Sequence, residues 1–179
     1  MPFLKAAQQN VNAMTLQAVM RTGNLGLAPS KNGHPAPWGA FMNISSFDHV
    51  SVPVRDIERS KAFYREVLGL AQIPRPAFNN VGAWMAAGTL EIHLTVNLEV
   101  ILRPAPLIDT GEVHFAARVE DFVSTMRHLE GMGFSESLPK GDPRQLVLRL
   151  AGPAPYKQLS LIDPDNHVIE INDAALKRS

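Results

Sequence analysis

The sequence predicts an α+β domain made of two βαβββ units, and three observations carry that prediction. First, the chain repeats itself. When DHVSVPVRDIERSKAFYREVLGL, from Asp48, is set above VHFAARVEDFVSTMRHLEGMGF, from Val113, His49 falls on His114, Val54 on Val119 and Asp56 on Asp121. Second, each copy punctuates a helix in the same way. An aspartate stands where an N-cap belongs, and a glycine (Gly69 or Gly133) follows where a C-cap glycine belongs. Third, the ends of the copies match: GTLEIHLT, from Gly88, lies over DNHVIEIN, from Asp165, which puts His93 on Glu170. Internal self-similarity of this kind is the signature of duplicated structural units.

The elements follow in order. Residues 48–54 and 113–119 read as short strands. After Asp56 comes an amphipathic helix with Ile57, Ala62, Phe63, Val67 and Leu68 facing inward; after Asp121, Phe122, Met126 and Leu129 do the same. Strands are then expected at 70–74, 82–87 and 90–96 in the first copy. In the second they are expected at 134–138, 145–150, 158–162 and 167–172, with Pro153 and Pro155 marking a turn.

The chain has 179 residues, 45% of them hydrophobic, which suffices for one ordinary domain with a real core. Lys plus Arg equals Asp plus Glu at 17 each, so no clustered positive charge suggests a nucleic-acid or anionic-membrane surface. No apolar run approaches the ~20 residues of a membrane helix. The absence of cysteine removes disulfides, thiolate ligands and a cysteine nucleophile. It also fits a reducing compartment, and a cytoplasmic location is the expectation. Residues 1–45 stand apart. They hold Lys5, Arg21 and Lys31 but no acid, then a run broken by Gly23, Gly26, Pro29, Gly33, Pro35, Pro37 and Gly39. They read as an appended arm, partly helical or mobile, before a domain at 46–175 with modules at 46–105 and 110–175. Met42 is an alternative natural start, and a transit peptide is a weaker reading of the arm.

The repeat supplies two pairs of metal-ligand type at equivalent places: His49 with His114 on the first strands, and His93 with Glu170 on the last. Because strand side chains alternate, His93 and Glu170 point away from the aliphatics beside them. Two similar units related by a pseudo-twofold axis would bring all four to one centre. Imidazole nitrogen and carboxylate oxygen suit Zn, Fe, Ni, Mn or Co. A lone histidine in an apolar strand is ordinarily a core residue, but three with a glutamate at repeat-equivalent positions are a site. His34, His128 and His167 read as structural or surface residues, His128 as facing solvent. Glu91 shares a face with His93 and reads as a strand-start charge, with a ligand or base as the alternative. Arg75 and Arg103 read as solvated, with an anion clamp as the alternative. Trp84 and Phe78 suit core packing or a pocket wall.

FDHVSVPVRDIERSKAFYREVLGL, GTLEIHLTV, GEVHFAARVEDF and LIDPDNHVIEIND together resemble the vicinal oxygen chelate (VOC) superfamily. That group includes glyoxalase I, extradiol dioxygenases, methylmalonyl-CoA epimerase and the fosfomycin and bleomycin resistance proteins. The resemblance runs from about Phe47 to Asp173 and implies paired βαβββ modules curled into an incomplete barrel around a metal. It also implies open metal positions that bind neighbouring substrate oxygens. His49, His114 and Glu170 match the recurring ligand positions. His93 stands at the variable one, where bacterial glyoxalase I carries Glu.

The function this implies is a metal-dependent, glyoxalase-like lyase or isomerase acting on a small oxygenated substrate, with Glu170 as the proton-transfer candidate. Two alternatives come with it. One is an Fe(II) extradiol-type dioxygenase, in which His93 would not ligate. The other is a non-catalytic small-molecule binding or resistance protein. The resemblance leaves open whether the modules pair within a chain or between the chains of a homodimer, which is the expected assembly.

Overall fold

In the computed structural model the described residues are Ile44, 46–99 and 105–175. The expectations for the N-terminal arm, His34 and Arg103 lie outside them. The described residues from 46 to 175 belong to one compact unit.

Each module runs β-α-β-β-β. The first has β1 (His49–Val54), α1 (Ile57–Glu66), β2 (Ala71–Ile73), β3 (Gly82–Ala87) and β4 (Leu90–Val96). The second has β5 (Phe115–Arg118), α2 (Phe122–Gly131), β6 (Val147–Arg149), β7 (Gln158–Ile162) and β8 (Val168–Asn172). The sheets have matching orders, β1-β4-β3-β2 and β5-β8-β7-β6, and neither closes into a barrel. In each, the helical crossover makes the first and last strands parallel neighbours, whereas the hairpin-linked strands pair antiparallel. This topology sets the repeat-equivalent positions on adjacent strands.

The helix boundaries follow their caps. The Asp56 carboxylate accepts from the Glu58 and Arg59 amides at 3.0 and 3.1 Å, and Asp121 accepts from Ser124 at 2.9 Å. Gly69 (φ 70°) and Gly133 (φ 85°) take the left-handed conformation that turns the chain out of each helix. The helix faces differ in part from expectation. Phe122 and Leu129 are buried on α2, but the buried residues of α1 are Ser60 and Tyr64, while Ile57, Phe63, Val67 and Leu68 only flank the core.

Residues 134–138 form no strand. Ser135 makes one isolated bridge to Gln145, its hydroxyl accepts from the Ser137 amide, and Pro139 and Gly141 follow. The apolar signal there was Phe134, which is buried in the core.

One apolar cluster spans both modules, from Val52, Leu94 and Met85 to Leu129, Leu161 and Ile169. A buried polar network fastens them together. Tyr64, fully buried, donates its hydroxyl to Asp163 Oδ2 at 3.1 Å. Asp163 Oδ1 accepts from the amides of Asp165 and His167, at 2.9 and 2.8 Å. Asp165 in turn accepts from the Arg55 amide and the Ser60 hydroxyl, and the His167 ring reaches the Pro53 carbonyl at 2.7 Å. The Asp-Pro-Asp turn before β8 is therefore an inter-module lock. His128 is not simply a solvent-facing residue: its Nε2 reaches the Glu66 and Val67 carbonyls at 3.1 and 3.2 Å, covering the open end of α1.

Candidate metal centre

Strand alternation sorts each sheet into a core face and an open face. On the first, Val50, Val52, Ile92, Leu94, Ala83 and Met85 turn to the core. His49, Glu91, His93 and Trp84 occupy the opposite face, because His49 is opposite Glu91 and His93 is opposite both Ser51 and Trp84. On the second sheet Phe115, Ala117, Ile169 and Ile171 face the core. Glu170, opposite Ala116 and Ser160, is on the other face.

The four predicted ligands lie as two pairs. The rings of His49 and His93 stack with centroids 4.0 Å apart, and Trp84 stacks on the far side of His93 at 4.1 Å. In the second module, His114 Nε2 lies 3.9 Å from Glu170 Oε2. Among the described residues no group of three or more His, Cys, Asp or Glu is placed to hold one metal ion. A cavity of about 210 Å³ between β1 and the start of β5 is lined by Ser51, Pro53, His114 and Val168, among others.

Hydrogen bonds separate the histidines by role. His114 Nδ1 is 2.7 Å from the Glu112 carbonyl oxygen, which can only accept, so Nδ1 is the donor and Nε2 is the nitrogen turned toward Glu170. His49 repeats the arrangement, with Nδ1 on the Asp48 carboxylate at 2.8 Å. This is the support that metal-ligating histidines use to fix tautomer and ring orientation. The separation of 3.9 Å is too long for a hydrogen bond, so His114 Nε2 and Glu170 Oε2 face each other as two donor atoms of the kind that would hold a divalent ion. The donor set therefore fits a divalent ion. His93 differs: its Nε2 is 2.7 Å from Glu91 Oε2, so Glu91 engages the ring as a partner rather than standing as a plain strand-start charge.

Glu170 is also held. Asn172 Nδ2 donates to Oε1 at 2.7 Å, leaving Oε2 for His114 or a ligand. Sequence reasoning missed this partner, although Asn172, two residues along the same strand face, was available as a signal. It also missed Asp48 behind His49. Trp84 and Phe78 are on the open side, with centroids 6.1 Å apart, and the Arg75 guanidinium lies over Phe78 at 4.7 Å and donates to Asn80. Trp84 is half-buried and lies outside the core cluster.

The Glyoxalase/Bleomycin resistance protein/Dioxygenase superfamily model matches residues 46–171. Among curated relatives, "Glyoxylase I 4" of Arabidopsis thaliana is 33% identical over 135 residues, covering 74% of this chain and 73% of its own. "Glutathione transferase FosA" of Serratia marcescens is 24% identical over 133 residues, covering 74% and 84%. A glyoxalase family protein from Bacillus anthracis superposes with a TM-score of 0.60 at 24% identity, over 76% of this chain and all of that one. A mutant of the fosfomycin resistance protein FosX from Listeria monocytogenes, solved with Mn(II) and 1S,2S-dihydroxypropylphosphonic acid, superposes at 0.55 with 17% identity, over 75% and 95%. These two structural likenesses show a shared fold. The matched span, the curated relatives and the repeated β-α-β-β-β architecture together make this chain a member of the glyoxalase/bleomycin resistance protein/dioxygenase superfamily.

Proposed function

We propose that the chain is a metal-dependent enzyme of the glyoxalase type, a lyase or isomerase acting on a small oxygenated substrate. Its catalytic domain is residues 46–175, with 1–45 an appended arm. His49, His93, His114 and Glu170 line one metal centre, where His49 Nε2, His114 Nε2 and the Glu170 carboxylate are the direct ligands and His93 is the variable position. The observation that carries this reading is the His114–Glu170 pair, with Nδ1 anchored and Nε2 turned to a carboxylate 3.9 Å away. A divalent ion held there supplies Lewis acidity to a substrate carbonyl or hydroxyl oxygen. Glu170, oriented by Asn172, takes and returns the proton. Trp84 covers one side of the site and limits water beside His93.

Because the ligands lie as two pairs on two open sheets, we further propose a homodimer in which His49 of one chain meets His114 and Glu170 of the other. Mixing His49→Ala with a His114→Ala/Glu170→Gln double variant tests this. Random pairing would regain about a quarter of wild-type activity, since half the dimers are mixed and each has one intact site of two. No regain would place the site within one chain. The reaction class is tested with the hemithioacetal of methylglyoxal and a thiol: turnover by metal-loaded protein is expected, and Glu170→Gln should abolish it. The Glu91 contact at His93 Nε2 favours one second reading, the two-histidine, one-carboxylate set of an Fe(II) extradiol-type dioxygenase. Oxygen uptake with a catechol and Fe(II) would select it.

A further inference from the structure

The open face of the first sheet carries a row of stacked rings, only one of which is a proposed direct ligand. His93 is directly opposite Trp84 on β3, and its partner on β1, Ser51, is two residues from His49. Side chains two residues apart share a strand face, so the three rings line up across three strands. They lie nearly parallel. His49 and His93 have centroids 4.0 Å apart and planes inclined by 14°, and His93 and Trp84 are 4.1 Å apart and inclined by 5°. Both faces of the His93 ring are therefore covered, and its side chain is 14% exposed against 42% for His49. Its edge is held too, because Nε2 lies 2.7 Å from Glu91 Oε2. Beyond Trp84 the row continues to Phe78, whose ring lies under the Arg75 guanidinium at 4.7 Å.

An imidazole offers the lone pair of a ring nitrogen in the plane of the ring. Two histidines share one ion only where their planes converge on it. The planes of His49 and His93 run side by side instead, so one of the two rings can serve as a ligand to a given ion and the other cannot. His49 is the one placed to do so, since Asp48 holds its Nδ1 and leaves Nε2. On His93, Glu91 occupies Nε2, and Nδ1 lies in the same plane, which runs alongside that of His49.

We propose that His93 is a positioning residue and not a ligand: clamped by Trp84 and tied by Glu91, it holds the ring of His49 in the plane from which His49 ligates. This deepens the metal-centre reading and rests on it. Partners behind a metal-binding histidine ordinarily act through its ring N–H, as Asp48 does here; the stacked imidazole adds a second restraint, on the plane of the ring.

Nitrogen NMR of the histidine rings, with and without Zn(II), tests the ligand assignment in the wild-type chain, and Co(II) titration of variants tests the positioning. With Zn(II) bound, the Nε2 signals of His49 and His114 should move to the metal-bound range while His93 Nε2 keeps its hydrogen. His93→Ala and Trp84→Leu should each weaken Co(II) about tenfold without changing the number of ions bound, as loss of an outer partner does. Trp84→Phe, which keeps a flat ring, should stay within about threefold of wild type. A His93 nitrogen in the metal-bound range overturns the proposal and leaves the metal centre standing. So does a His93→Ala protein that loses the ion as His49→Ala does, or a Trp84→Leu protein with wild-type affinity. A wild-type chain that takes up neither ion removes the metal-centre reading, and the proposal falls with it.

Discussion

Tyr64→Phe isolates the bond between the modules. It deletes one hydroxyl and keeps the ring, so packing in a site with no exposed surface is nearly unchanged. The lost bond is 3.1 Å long and ends on Asp163, itself 2% exposed. Oδ1 keeps the Asp165 and His167 amides, but Oδ2 loses its donor. A hydrogen bond to a charged group contributes about 1.5–3 kcal/mol net, and the stranded oxygen puts the cost in the upper part of that range. For a folded unit of this size that is roughly 5–12 °C in Tm. Urea melts at neutral pH should show a lower midpoint with the same slope, because both modules share one core and unfold together. At acidic pH, where Asp163 carries its proton, the difference should shrink toward about 1 kcal/mol, the value of a neutral hydrogen bond. A Tm within about 2 °C of wild type at neutral pH would refute the lock.

Burial holds the Asp163 carboxyl above its ordinary range, outweighing the opposing pull of His167 and the two amides. The native state then binds more protons than the unfolded one. Stability should therefore fall as pH rises from the ordinary value of 3.8 through the native value, then level off, and Asp163→Asn should flatten that stretch in pH-dependent melts. Gly82→Ala would set a Cβ 2.5 Å from the Leu94 carbonyl oxygen, so β3 must shift against β4. We expect about 1–3 kcal/mol lost in urea melts and a changed near-ultraviolet signal from Trp84, which is opposite His93. His128→Ala should cost about 1 kcal/mol in the same assay by uncovering the last carbonyls of α1.

The repeat was legible because both copies obey the same local rules. Asp56 and Asp121 cap, Gly69 and Gly133 terminate, and apolar alternation marks β1, β3, β4, β7 and β8. Those signals are local, so they survive being read one residue at a time. The strand expected at 134–138 failed because one buried phenylalanine in a short apolar run looks the same in a strand or a loop. The inward faces of α1 were misjudged for a different reason. Ser60 and Tyr64 are polar, and only their distant partners Asp165 and Asp163 make burial favourable. The equivalence of His49 with His114 and of His93 with Glu170 was readable from alignment, but the supports behind them were not. Asp48, the Glu112 carbonyl and Asn172 act through geometry that strand register creates. The split between His93, whose Nε2 is engaged by Glu91, and the two histidines held through Nδ1 likewise appears only once rings have orientations.

Metal analysis of the untagged protein as purified, repeated on His49→Ala, His114→Ala and Glu170→Gln, tests the central claim most directly. The account predicts about one divalent ion per chain in wild type and its loss in each variant, with melts showing that the variants remain folded. Wild-type protein that carries no metal and takes none up, or variants that keep it, would contradict the account.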